Sequence, residues 1–220
     1  MTAALQPQPT RDQQHRYHLS GHRFRASITG VLRWQKSPAT LAAIEASRHQ
    51  WEARGVSVHR ALEVFATGGS ILEQRQLMTG PFGDWVRPLL NHPLWGQVTV
   101  TGSERLTWCL ERDIAGTFDL SYRTTDGRHI LADLKTQAAN RSPYDIRAQL
   151  GGYLALEAAH GRTYDGAQAL WARPGQTTAG PIHSTAECLL AWAAAWARWC
   201  ALGRPVAPAQ PDAQPRPAVL

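Results

Sequence analysis

Asp119, Asp133 and Lys135 are the residues of this 220-residue chain whose spacing points most directly to chemistry. Ile130, Ala132 and Leu134 alternate with Leu131, Asp133 and Lys135. That is the period of a strand, so Asp133 and Lys135 share one face. Just upstream, Thr125-Asp126-Gly127 fits a three-residue hairpin loop with glycine in the left-handed position. Such a loop pairs Thr124 with Arg128, and the continued register sets Asp119 opposite Asp133. Two carboxylates facing each other on a sheet repel. A divalent cation between them would reverse the sign of that interaction, and Lys135 would sit beside whatever the cation holds. Phosphodiester hydrolysis has matching needs: an activated water, compensation of phosphate charge and a stabilised leaving oxyanion. A hard cation held by carboxylates serves all three.

Other residues extend this set. Gln149 and Tyr153 are four apart, so they share a helix face. Gln149 can hydrogen-bond the lysine, a water or a phosphate; Tyr153 can do the same or stack on a base. Arg147 lies on the same helix and is the first choice among the basic residues for a phosphate contact. His59, on a helix ahead of the sheet, can offer an imidazole nitrogen to the same cation. Glu104 is a possible accessory carboxylate, and Glu111 a weaker one. Trp192, Trp196 and Trp199 recur at helical spacing and read as core packing.

The elements that must position these groups follow from patterning. Residues 1–15 read as a flexible arm and Tyr17 to Phe24 as a small hairpin. Leu41 to Arg54 and Val56 to Ala66 read as two helices with Gly55 between them; Leu72 to Thr79 and Trp85 to Asn91 are also helical. Strands are expected at 104–111, 114–123 and 129–135, then 167–172. Ser142-Pro143 carries the signal for a helix start, giving a helix to Ala159 that ends at Gly161. Thr185 to Leu202 is a helix closed by Gly203 and Pro205. The proline-, alanine- and glutamine-rich 204–220 reads as a disordered tail. Helices, then a sheet, then further helices describe an α/β sandwich with a central mixed sheet flanked by helices.

The ordered motifs resemble those of the PD-(D/E)XK nucleases, within them the RecB-like and phage- or mitochondrial-type exonuclease branch. Gly116-Thr-Phe-Asp119 followed by Asp133-Leu-Lys-Thr136 is similar to the superfamily core. Gly55-Val-Ser-Val-His59, Gln149-Leu-Gly-Gly-Tyr153 and Ser27-Ile-Thr-Gly-Val-Leu32 are similar to branch motifs. The resemblance spans roughly Tyr17 to Trp171. It implies a restriction-endonuclease-like core over residues 16–203, with Asp119, Asp133, Lys135, Gln149 and Tyr153 in catalysis. It implies metal ligation by His59, Asp119, Asp133 and the backbone carbonyl of Leu134, and a glutamate such as Glu104 near the metal. The cofactor implied is Mg2+ or Mn2+, and the imidazole ligand tilts the preference toward manganese. The activity implied is exonucleolytic hydrolysis of DNA from a free, single-stranded end, as in DNA repair, recombination or phage DNA processing. The competing readings are a nucleic-acid-binding protein that keeps the core without catalysis, and a structure-specific endonuclease.

Composition is compatible with this. The net charge is +6 and the pI about 9.7, which suits a polyanionic partner. With 43% hydrophobic residues, the chain can bury a proper core. Cys109, Cys188 and Cys200 are widely spaced and odd in number, against a disulfide framework or zinc site, and too few for the four-cysteine iron–sulfur cluster of some RecB-like nucleases. Reduced thiols suit a cytoplasmic setting. Met1 to Gln14 lacks an apolar secretory segment, and no run is apolar for long enough to span a membrane.

Overall fold

A computed structural model describes residues 9–12 and 14–203. The tail expected at 204–220 lies outside the described residues, as does the arm over 1–8. The alternation around Asp133 produces the strand it predicts, and the hairpin turns where expected. Thr124 N–H donates to the Arg128 carbonyl at 2.9 Å, and Gly127 takes φ +86°. The elements run β1 (Thr10–Arg11), β2 (Tyr17–Leu19), β3 (His22–Arg23), β4 (Ala26–Ser27), α1 (Ile28–Arg33), α2 (Pro38–Ala46), α3 (Arg48–Ala66), α4 (Ile71–Thr79) and α5 (Gly83–Leu90). There follow β5 (Val98–Cys109), β6 (Ile114–Thr124), β7 (His129–Thr136), α6 (Arg147–Ala159), β8 (Gly166–Arg173), β9 (Gln176–Ser184) and α7 (Thr185–Ala201).

The architecture is α/β, a mixed six-stranded sheet between two helical layers. β6 runs antiparallel to β5 on one edge. Its other edge is divided: Leu120–Arg123 pair with β7, while Ile114–Ala115 pair with the short parallel β4. Gly116–Asp119 between them have no ladder partner on that edge among the described residues. β8 continues the sheet parallel to β7, and β9 closes it antiparallel to β8.

One apolar layer joins Phe118, Leu131, Ala167 and Trp171 to α1, α6 and α7, with Trp192 and Trp199 buried in it as expected. The other joins Leu120, Tyr122, Ile130, Ala132 and Leu134 to α3 and α5. Phe118 and Leu120 are two residues apart yet pack into opposite layers. A regular strand would face both the same way, so β6 reverses its facing around Asp119. A third cluster, Tyr17, Leu19, Phe24, Trp108 and Ala115, fastens a small sheet of β1, β2 and β3 to the body.

Several boundaries differ from the sequence reading. Thr10–Arg11 form a strand against Tyr17–His18, so the arm is shorter than residues 1–15. α3 runs through Gly55 without a break, and the helix boundary falls at Ser47 instead. Ser142-Pro143 does not start α6: the Ser142 carbonyl accepts from Gln137 Nε2 at 2.7 Å, and Asp145 Oδ1 accepts the Arg147 amide at 2.9 Å. β9 was not expected; its Gly180-Pro181 interrupts alternation, as suits an edge strand.

Gly151 and Gly152, which cost helix propensity, are packing devices. A Cβ on Gly151 would lie 1.9 Å from the Cys188 carbonyl oxygen of α7, and one on Gly152 2.8 Å from Ile28 Cγ2. Close approach of α6, α7 and α1 depends on them. Gly151→Ala is therefore expected to lower stability by about 1–3 kcal/mol, despite alanine's better helix propensity. Chemical denaturation of the two proteins checks this.

On α6, Glu157 is fully buried and holds Arg162 Nε at 2.6 Å and the Tyr164 hydroxyl at 2.9 Å. Burial alone would raise its pKa, but the Arg162 hydrogen bonds win and lower it below 4.5. A lowered folded pKa gives stability present above the unfolded value and lost as pH falls through the folded one. The Tm gap between wild type and Glu157→Gln should therefore be full at neutral pH and close as acid is added below about pH 4.5; a gap constant down to pH 2 would contradict it.

Candidate active site

Asp119 stands at the place where β6 loses its neighbour. The β6–β7 ladder ends at Leu120–Ala132. One step further, the Asp119 side chain replaces the missing rung: its Oδ2 accepts the Leu134 backbone N–H at 2.6 Å. Its Oδ1 accepts from His59 Nδ1 at 2.9 Å. Asp119 is thus anchored by β7 through one oxygen and by α3 through the other.

The β5–β6 register continues through the same row. Ser103 pairs with Leu120 and Arg105 with Phe118, which sets Glu104 opposite Asp119. Glu104 has φ +45°, a left-handed conformation that is uncommon for a glutamate inside a strand. Such outliers persist only where the surroundings hold them, and they cluster at functional sites. Three carboxylates therefore lie at one level of three adjacent strands: Glu104 on β5, Asp119 on β6 and Asp133 on β7.

They do not act alike. His59, Glu104 and Asp119 bring ligand atoms within 4.8 Å of one another. Asp133 is turned to a different set: its Oδ2 lies 2.5 Å from Lys135 Nζ, and its Oδ1 accepts from Gln149 Nε2 at 3.1 Å. Gln149 Nε2 also donates to the Tyr153 hydroxyl at 3.0 Å. The expected facing pair of aspartates is thus corrected in detail. The register is right, but the strands part at this level, and Asp119 is held from the α3 layer while Asp133 is held from the α6 layer. Glu104, expected only as an accessory, completes the ligand cluster; carrying the register one strand further would have found its place. The Leu134 backbone reaches the site through its amide.

The electrostatics follow from crowding. Burial pushes the Glu104 carboxyl up to about 7, and the Asp119 charge adds to the rise. Burial would raise Asp119 too, but His59 overrides it and holds Asp119 below its ordinary value. His59 is raised by Asp119 against the opposing effect of burial. Burial lifts Asp133 to about 6, against the pull of Lys135. Lys135 is raised by Asp133 despite its burial, so it stays an ammonium. Arg11, on β1, is near enough to Glu104 to favour its charged form.

The donor set suits a hard divalent cation. Two carboxylates and one imidazole could hold a divalent cation, and crowded like charge is what a cation relieves. The His59 side chain keeps 32% of its surface exposed, so the cluster is open to solvent. Of the other expected residues, Arg147 is committed to Asp145 by hydrogen bonds of 2.7–3.1 Å, and Glu111 lies exposed in the β5–β6 turn, outside the cluster. Tyr153 is buried with its ring against Phe118, so it positions Gln149 and offers no face to a base.

No family model matches the chain, and no curated protein matches it. Nineteen solved chains match, among them the crystal structure of SSO0001, 13% identical over 81% of this chain and 76% of that one, with a TM-score of 0.40. The cluster's own behaviour is therefore the test. Manganese is expected to raise Tm, in proportion to the logarithm of its concentration over Kd. Metal must displace protons from His59 and Glu104, both raised, so the rise should be larger at pH 8 than at pH 6. His59→Ala and Glu104→Gln should each shrink it. Thermal melts with manganese and with chelator measure this; an undiminished shift in both variants would make the cluster structural.

Proposed function

We propose that the chain is a metal-dependent nuclease that hydrolyses DNA phosphodiester bonds from free single-stranded ends, with Mg2+ or Mn2+ as cofactor. The observation that carries this reading is the pairing of two sets at one gap in the sheet: an open His59–Glu104–Asp119 cluster, and beside it the Asp133–Lys135 pair. The motif resemblance to the PD-(D/E)XK nucleases of the RecB-like branch supports it, since the residues of its separate motifs converge on this gap. Roles in DNA repair, recombination or phage DNA processing belong to the same proposal. So does a cytoplasmic setting, which the free thiols of Cys109, Cys188 and Cys200 favour. No helix among the described residues is long and apolar enough to cross a membrane.

In this reading His59, Glu104 and Asp119 would hold the cation, with Asp133 and Lys135 beside it. A bound divalent cation supplies an activated water and charge to offset the phosphate. Lys135 presents its ammonium to the negative charge that develops on the phosphate, a preorganised donor of the kind that carries much of catalysis. Asp133 fixes that ammonium, Gln149 fixes Asp133, and Tyr153 fixes Gln149. Each link restricts where Nζ can go, and restriction is what makes a charge catalytic.

Lys135→Ala and Asp133→Asn should each lower the cleavage rate roughly 100-fold or more, with Tm recorded to show that the fold survives. An end-labelled linear single strand should be degraded in manganese, and its closed circular form should persist. Equal cleavage of both forms would favour the endonuclease reading. Binding without cleavage by the folded wild type would favour a binding protein.

A further inference from the structure

An acidic cluster does not attract a polyanion; something beside it must. Arg147 is tied to Asp145, so the basic surface has to be sought elsewhere. It lies around β4, on the edge of β6 that also carries β7. A cavity of about 290 Å³ opens there between the small N-terminal sheet, α1, α2 and the first turn of α3. Six arginine and lysine side chains line it against one carboxylate, Glu45. Arg16 and Arg48 are spent on Asp12 and on Glu45 and Glu52, and Arg25 lies 3.6 Å from Asp113. Arg23, Arg33 and Lys36 have no carboxylate at ion-pair distance among the described residues. Trp51 also lines the cavity and is 37% exposed.

Two lining residues of the cavity touch β6 close to the site. Ser27, in its lining, pairs with Ala115 on β6, four residues before Asp119. At the rise of a strand that is about 13 Å. Tyr17, also in the lining, hydrogen-bonds Thr117 at 3.1 Å, two residues before Asp119.

We propose that this groove is the track for single-stranded nucleic acid: Arg23, Arg33 and Lys36 contact successive phosphates, and a base stacks on Trp51. Unpaired cations that share a lining with an exposed indole match a backbone of repeated monoanions carrying flat rings. An acidic peptide would satisfy the cations and leave the indole without a flat partner. The inference deepens the nuclease reading and rests on it only for the strand's destination at Asp119.

The test is equilibrium binding of a fluorescein-labelled oligothymidylate in EDTA, read by anisotropy, so that no cleavage is required. Arg23→Gln/Arg33→Gln/Lys36→Gln should weaken binding and lower the slope of log K against log salt by about 2, at about 0.7 per phosphate contact on a single strand. Trp51→Ala should weaken it roughly tenfold. Arg75→Gln, on α4, removes one charge elsewhere and should leave the slope unchanged. Wild-type affinity and slope in the triple variant would overturn the groove. Polyglutamate displacing the oligonucleotide equally well, at equal charge, would overturn its assignment to nucleic acid. Cleavage by the wild type in manganese is scored separately: its absence, with groove-dependent binding intact, would sink the nuclease reading and leave the track standing.

Discussion

One edge of β6 has to serve two neighbours. β7 takes the upper part and β4 the lower, and among the described residues no ladder partner covers Gly116–Asp119 between them. Exposed backbone in a sheet interior is costly unless it finds partners. Asp119 provides one for β7 by accepting the Leu134 amide. Gly116 serves the gap differently: a Cβ there would meet Ile28 at 2.9 Å and Tyr153 at 3.0 Å. The gap is therefore bridged by a carboxylate at one end and packed by Ile28 and Tyr153 at the other. The His59–Glu104–Asp119 cluster and the Asp133–Lys135 pair both lie at that gap.

The divided edge also explains why groups from both helical layers arrive at one place. In an unbroken sheet, α3 and α6 would be separated by the strands. Here His59 reaches Asp119 from one layer and Gln149 reaches Asp133 from the other, while Lys135 stays on the Asp133 side. The two carboxylates carry opposite perturbations as a result. Asp119, beside the imidazole, is held low; Asp133 is lifted by burial. Paired acidic groups pushed apart in this way acquire different duties.

The part of the fold that sequence made legible is the part governed by local rules. The Thr125-Asp126-Gly127 loop and the two-residue alternation gave the β6–β7 register, and with it the level shared by Asp119 and Asp133. Capping and helix period gave α7, whose Ser184 and Glu187 form a reciprocal cap. What escaped depends on distant contacts. The left-handed Glu104 has no sequence signature, and its place follows only from pairing β5 with β6. The close contact of Gly151 with the Cys188 carbonyl couples two helices far apart in the chain. The start of α6 moved because Gln137 claims the Ser142 carbonyl. Where β6 and β7 part could not be read at all, because the pattern continues past the last rung.

The double attachment of Asp119 has a consequence for how this site can be observed. Its two oxygens belong to one delocalised carboxylate, so whatever draws on Oδ1 alters what Oδ2 offers the Leu134 amide. That amide is buried behind the sheet and protected from solvent by a side chain instead of a strand. Its chemical shift and exchange rate thus serve as a built-in gauge of the cluster, one that reports through the backbone without any probe being introduced.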